Sequence, residues 1–505
     1  MTCLTRRTAM VGALQTALAL TIASPICAAT SGIQKTSLVV AIPLEPPVLD
    51  PTTASPVAVG MITWSNIYEG LVTIDREGNI QPQLATDWTI SSDHLTYTFH
   101  LRKNVFFHDG TVFDASVAKF SLERASSPSS RNPQKRFYSR IERIEAQDPW
   151  TLVLHLKRRN GSLLYWLAWP ASVIVAPNSA ESNGQEPIGT GPFRFKNWEK
   201  GASIELVANE TYWAKDKIAL KHVTFRFLGN LDLLAKALKA QEIDAVPEFN
   251  RPDLVADLQK VSTLKTVIGV TEMKVIAAMN NARKPFNDLR VRQALMMAVD
   301  RSAMIEGAWD GLGKKIGSHY TQNDPGYRDL TGVYHYNPAK ARALLAEAGY
   351  PKGFTFVMKT PQMSYAVRST DILQAAFAEI GVTMIVKTTS FPQPWTHEVF
   401  ERADYDMTII AHAEPMDINM FAQPNSYFNY KNPTFNDVIE SIETSTSEDE
   451  RKRLYGDAQT ILALDLPALF LFSLPKIGIW NANLRGMWEN EPIPSIVLSE
   501  VHWAE

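Results

Sequence analysis

Residues 354–412 carry three short apolar runs, "FTFVMKT", "VTMIVKT" and "DMTIIAH", and this stretch restricts the fold more than any other feature of the chain. Each run is too short for a helix and rich in the residues that strands favour. Between the first two lies the helical "TDILQAAFAEIG", closed by Gly381, and between the last two residues 394–402 read as a further helix. This β-α-β-α-β order is the unit of an open, mostly parallel sheet with helices on its faces. Two more helical stretches precede it, "VRQALMMAVDRSAMIEGAW" and "AKARALLAEAGYPKG", the second stopped by Gly349 and Pro351.

The first half of the chain is patterned differently. "LTYTFHL", "TLVLHL" and "HVTFRF" alternate with the period of half-buried strands, and "HDG", "RNG" and "IGTGPF" punctuate them as turns. The first clear helix is "NLDLLAKALKAQEIDAV", where Leu231, Leu234, Ala235 and Leu238 share a face. The chain therefore reads as α/β, with a change of pattern near residues 278–290 and no repeat of solenoid length.

The opening "MTCLTRRTAMVGALQTALALTIASPICAAT" has a basic start, an apolar stretch and small residues, the pattern of a cleaved export signal cut near Ala28 or Ala29. Thr5, Arg6 and Arg7 leave the Sec and Tat routes both open, and Cys27 follows a poor lipobox. Both cysteines, Cys3 and Cys27, belong to this leader, so no disulfide framework is available. Roughly 475 residues remain, enough for two or more domains resting on their cores alone. Removing Arg6 and Arg7 takes the formal charge from −3 to −5, which argues against nucleic acid as a partner. No apolar run after residue 30 is long enough to span a membrane, so a soluble mature chain is expected.

Open sheets of this type bind ligands beyond the carboxyl ends of their strands. One such end runs into "TIIAHAEPMDINMF", residues 408–421, which sets His412, Glu414 and Asp417 directly after an apolar run. Three ionisable groups in six residues fit a crevice rim, a metal loop or a seat for a cation, and equally a solvated turn. Inside a closed cleft a carboxylate needs a cation or donors to offset its desolvation, so these acids favour an amine-bearing ligand. Trp395 offers an aromatic wall or a packed interface residue, and Tyr427, Phe428 and Tyr430 either extend that wall or belong to the core. Arg368 suits a ligand carboxylate or a plain surface. A lone His412, with His397 some distance off, is a thin metal set, and no metal or other cofactor is expected.

Catalysis is the rival class. "SVAK", Ser116 to Lys119, fits the S-x-x-K of serine acyl-transferases and hydrolases, but its S-D-N and K-T-G partners are missing and Ser116 also suits a helix start. "HEVFE" at His397 fails the H-E-x-x-H pattern at its last position. No enzyme is expected.

Nearly the whole mature chain resembles the large peptide- and nickel-type solute-binding proteins of ABC importers, family 5. The resemblance is carried by residues 66–124, "NIYEGLVTIDREGNIQPQLATDWTISSDHLTYTFHLRKNVFFHDGTVFDASVAKFSLER", and by "PIGTGPFRF", "MNNARKPFNDLRVRQALMMAVDR" and "YNPAKARALLAEAGY" in the same order. It implies a two-lobe periplasmic binding protein of type II with mixed sheets, a hinge and an extra α+β subdomain at about residues 76–185 of the first lobe. The implied boundaries are a signal peptide at 1–29, lobe I at 30–278, lobe II at 279–474 and a return to lobe I at 475–505. It further implies a monomeric periplasmic receptor that closes on a small peptide or peptide-like amine and delivers it to ABC permease subunits in the inner membrane. In peptide-binding members a small residue, a Trp, two further residues and an Asp follow the last of these strands, and that Asp pairs with the peptide α-ammonium. Here Ala411 replaces the Trp, Glu414 takes the place of the Asp, and Asp417 matches a second acid nearby. Glu45, in "AIPLEPPVLDP", falls where relatives pair extended backbone with their ligand, or is only a rim charge. Nickel or metal chelates, haem, opines and sugar phosphates are the alternative ligands the resemblance allows.

Overall fold

A computed structural model describes residues 35–414 and 416–504. The expected export signal, with Cys27 and the twin arginines, lies outside the described residues. Among the described residues no helix is long and apolar enough to cross a membrane.

Two long antiparallel strands, Leu264–Met279 and Ala468–Asn481, form the spine of one large mixed sheet. They pair from Leu264 opposite Asn481 to Ala278 opposite Ala468, with register breaks between Val270 and Lys274 and between Val275 and Ile276. On one side of this spine Met407–His412 pairs antiparallel with Leu264–Met279, followed by Thr355–Pro361 and Thr383–Thr389 in parallel. On the other side come Ala245–Val246, Ser37–Ile42 and His222–Phe227, then the antiparallel Ser203–Ala208 and Phe193–Glu199. The parallel pairing expected over residues 354–412 is found there, and Ser37–Ile42 also pairs in parallel with His222–Phe227 and Ala245–Val246, while the remaining neighbours are antiparallel. Apolar alternation identifies a strand but not the direction of its neighbour, and here long-range antiparallel pairing decides the rest.

The packing sorts by lobe. One core takes Val275 to Leu474, and two others take the remainder of the chain, so the cores part inside the long strands: between Val267 and Val275 on the way out, between Leu474 and Ile477 on the way back. A separate four-stranded antiparallel sheet is formed by Ala85–Ile90, Thr96–Leu101, Thr151–Leu156 and Ile141–Asp148. Thr96–Leu101 and its neighbour Thr151–Leu156 place Tyr97, Phe99, Leu152 and Leu154 in the first-lobe core, as the period-two pattern requires.

Two helices depart from the sequence reading. The stretch expected to be continuous over 291–309 is two helices, Leu289–Met297 and Arg301–Trp309, because the Asp300 carboxylate accepts from the amides of Ser302 and Ala303 and restarts the helix. The helix at Leu231–Lys239 stops before "IDAV", where Gln241 adopts φ 58° and Ala245–Val246 joins the sheet. Ser116 is the second residue of the helix Ala115–Ser126, which Asp114 caps by accepting from Ser116 N and Val117 N.

Candidate crevice site

The strand Met407–His412 ends in the segment that raised the question of a cation seat. Its register with Leu264–Met279 sets His412 opposite Lys274, and Lys274 is a lysine whose side chain is 0 % exposed. Lys274 Nζ lies 3.0 Å from Asp417 Oδ1 and donates to the Glu414 carbonyl at 2.7 Å. His319 Nε2 lies 3.0 Å from the same Oδ1, and His412 Nδ1 lies 3.3 Å from Oδ2. His412 Nε2 and the Tyr427 hydroxyl are 2.8 Å apart. With Nδ1–H directed at the carboxylate, Nε2 accepts from that hydroxyl.

The electrostatics follow from this packing. Burial opposes ionisation of Asp417, but the charges of His319 and Lys274 and the bonds from both imidazoles outweigh it and hold the carboxyl well below its usual range. Burial likewise opposes a charged Lys274, and Asp417, Asp324 and Glu272 reverse the effect and raise it. His319, packed edge-on against His412 and Phe421, is pushed by burial down to about 4. Asp417 thus already has its cation, supplied by the protein. His319, His412 and Asp417 could together hold a metal ion, but the Lys274 ammonium against Asp417 disfavours a second positive charge at that carboxylate.

A second acidic pair sits beside the first. Thr321 donates through Oγ1 to Glu272 at 2.8 Å and through its amide to Asp324 at 2.7 Å, and the Met416 amide donates to Asp324 at 3.1 Å. Glu272 lies at the register break of the long strand, and burial together with the Asp324 charge pushes it up to about 9. This gives an expected pH effect. Between pH 6.5 and 9 an unfolded Glu is ionised while Glu272 stays protonated in the fold, so the folded state binds more protons and stability falls as pH rises, by up to about 1.4 kcal/mol per pH unit. Chemical unfolding at pH 6.5 to 9 should show that decline, and Glu272→Gln should remove it.

The other sequence candidates sit as follows. Ala411 is half-buried, and its amide donates to the Tyr365 hydroxyl at 2.9 Å. The Glu414 side chain is exposed at the rim. Trp395 is a correction: it is 0 % exposed, donates from Nε1 to Thr408 Oγ1 at 3.0 Å and packs edge-on to Phe400, so it belongs to the core and offers no wall. Tyr427, Phe428 and Tyr430 are likewise buried, with Tyr427 touching the site through His412 alone among the candidates. Glu45 spends its carboxylate on Trp198 Nε1 and Gly201 N, at 2.9 and 3.0 Å, and Arg368 pairs with Asp310 at 3.0 Å. Neither is joined to the Asp417 network. Sequence reasoning missed Lys274, His319, Glu272 and Asp324. A lysine inside the apolar run "MKVIAAM" was the available signal for the first.

Next to this network a cavity of about 480 Å³ opens between the lobes. Its second-lobe wall includes Met416, Asn419 and Gln423 from the crevice segment, and its first-lobe wall includes Phe137 and Trp166. Contacts between the lobes border it. Arg140 Nη2 lies 3.0 Å from both carboxylate oxygens of Glu443, Arg158 approaches Glu440 and Glu443 at 3.5 and 3.7 Å, and the Gly161 amide donates to the Glu443 carbonyl at 3.1 Å. Gly161 is required there, because a Cβ would meet Ser445 O at 3.1 Å and Arg451 Cδ at 2.8 Å.

Comparison with known proteins agrees with this architecture. Residues 79–434 match the model of bacterial extracellular solute-binding proteins, family 5 Middle. The glutathione-binding protein GsiB of Pectobacterium atrosepticum is 30% identical over 474 residues, covering 87% of this chain and 89% of that protein. Two solved structures superpose with a TM-score of 0.78 at 25% identity: AgaA from A. tumefaciens R10 with agropinic acid, covering 93% of this chain and 99% of that one, and the periplasmic binding protein DppA of Helicobacter pylori with the peptide STSA, covering 93% and 98%. A two-lobe mixed α/β fold, a cavity between the lobes and a match over most of the chain lead to one assignment: the chain belongs to the bacterial extracellular solute-binding proteins of family 5.

Proposed function

We propose that this protein is the periplasmic receptor of an ABC importer, and that it captures a small peptide or peptide-like amine between its lobes and passes it to permease subunits in the inner membrane. The observation that supports this reading is the cavity walled by both lobes and bordered by their ion pairs, of a size that suits a small solute. A monomer exported by the signal at residues 1–29 and performing no catalysis completes the reading, with lobe I at 30–278, lobe II at 279–474 and the return at 475–505. The segment that reaches the cavity through Met416 also carries an exposed carboxylate, Glu414, whose carbonyl is pinned by Lys274. Glu414 receives the ammonium of the ligand, while Asp417, bound to Lys274, positions the segment that carries it.

Native mass spectrometry of the purified protein, followed by thermal-shift screening with di- and tripeptides, glutathione, opines and nickel chelates, tests the reading. A peptide-like amine should stabilise the fold by RT ln(1 + [L]/Kd), rising with its concentration. Stabilisation by a nickel chelate alone would remove the peptide assignment. Glu414→Gln should weaken an amine-bearing peptide about tenfold, the worth of one charge-assisted hydrogen bond. Calorimetric titration giving an unchanged Kd would end the role assigned to Glu414.

A further inference from the structure

The cavity between the lobes is not lined evenly. Its charged side chains are Arg136, Arg140 and Arg158 from the first lobe and Glu440 and Glu443 from the second, so guanidinium groups exceed carboxylates by one. The two acids are engaged by Arg140 and Arg158. Arg136 donates only to a neutral amide, Gln423 Oε1 at 3.1 Å, and among the described residues meets no carboxylate at salt-bridge distance.

Two amide side chains on the same wall point to what Arg136 serves. Asn160 is 2 % exposed, its Oδ1 accepts from the Ser162 amide at 3.1 Å, and its Nδ2 is buried with no partner among the described residues. Gln134 repeats the arrangement: Oε1 accepts from Ser172 Oγ at 2.7 Å, and Nε2 is buried and unpartnered. For Asn160 the backbone N–H of Ser162 fixes the amide orientation, so its free group is an NH₂ donor; the Ser172 hydroxyl also reaches the Trp166 carbonyl at 2.7 Å, so Gln134 can present either amide atom. A buried donor without an acceptor destabilises the fold until a partner satisfies it. Both residues line the cavity, and both therefore lack what an anion would bring.

We propose that Asn160 Nδ2 and the Arg136 guanidinium, with the Gln134 amide beside them, form a carboxylate subsite on the first-lobe wall, which receives the acidic end of the solute. A guanidinium with a fixed amide donor, and a second amide able to turn its NH₂ inward, matches the several lone pairs of a carboxylate. The apolar faces of Phe137 and Trp166, with ring centroids 6.4 Å apart, flank the same wall and suit the stem that carries the acid. The subsite lies on the wall opposite Met416, Asn419 and Gln423 of the second lobe, so a solute spanning the cavity would touch both lobes, and contact with both is what favours closure. This inference rests on the reading of the cavity as the solute chamber.

The test uses isosteric changes. Asn160→Asp and Gln134→Glu keep the oxygen that accepts from Ser162 or Ser172 and replace the free donor with an anion. Arg136→Gln, at an exposed position, provides a variant whose folding is not in question. The probes are Ala-Ala-Ala and reduced glutathione, each as the free acid and as the C-terminal amide, titrated calorimetrically. The wild type should bind each acid at least about tenfold more tightly than its amide, and the variants should lose that preference while holding the amides within about threefold. Equal binding of acid and amide by the wild type, or an equal loss of both in Arg136→Gln, would overturn the subsite and leave the peptide reading intact. Binding of neither form by the wild type would overturn the peptide reading, and the subsite with it.

Discussion

Lys274→Met is expected to destabilise the protein by about 3–5 kcal/mol, the cost of leaving a buried charge without its partner. The Lys274 side chain is fully buried and its ammonium is held by Asp417 and by the Glu414 carbonyl, so no other cation takes its place. His319 does not compensate at pH 7, since burial holds it neutral down to about pH 4. The loss should be read from the midpoint and slope of urea unfolding. Lys274→Met with Asp417→Asn should recover most of it, because a neutral pair avoids the desolvation that the ion pair must offset. A double variant no more stable than Lys274→Met would show that the lysine acts through its packing and not through Asp417.

The second large effect concerns closure. Glu443→Lys sets a cation against Arg140 and Arg158, in a pair whose side chains are only 24% and 19% exposed in the wild type. Like charges at such a contact disfavour the closed arrangement by about 2 kcal/mol, which is roughly a 30-fold shift toward the open form. Small-angle scattering of the unliganded protein should record a larger radius of gyration, and the apparent affinity for any peptide found by screening should fall by a similar factor. Adding Arg140→Glu restores opposite charges and should recover both quantities. A failure to recover affinity alongside a restored radius would assign Glu443 a direct contact with solute instead of a part in closure.

Much of the architecture was legible because it is local. Alternation in "TLVLHL" and "HVTFRF" becomes Thr151–Leu156 and His222–Phe227 with little change, and the wing of parallel strands follows from the spacing of its apolar runs. Asp300 was visible in the sequence, but an apolar pattern running past it concealed that its side chain restarts the helix. The site was less legible for a different reason. Lys274 meets His412 through strand register and Asp417 through the turn that follows, and His319 arrives from a separate loop, so their relation exists only in three dimensions. Reading both Glu414 and Asp417 as acids open to a ligand cation overlooked a counter-ion of Asp417 carried on another strand. The same holds for Arg140 and Glu443, whose attraction depends on how one lobe lies against the other.

The shared spine also decides how this protein can be taken apart. A fragment cut at the sequence boundary, residues 279–474, would shed nearly all of Leu264–Met279 and with it the neighbour of Met407–His412. That strand would become an open edge, ready to pair with another chain, and Asp417 would lose Lys274 in the same cut. The lobes are therefore poor modules for recombination. Substitution of side chains that line the cavity, such as Asn419 and Gln423, which leaves both long strands and Asp417 in place, is the route by which new solute preferences can be grafted onto this scaffold.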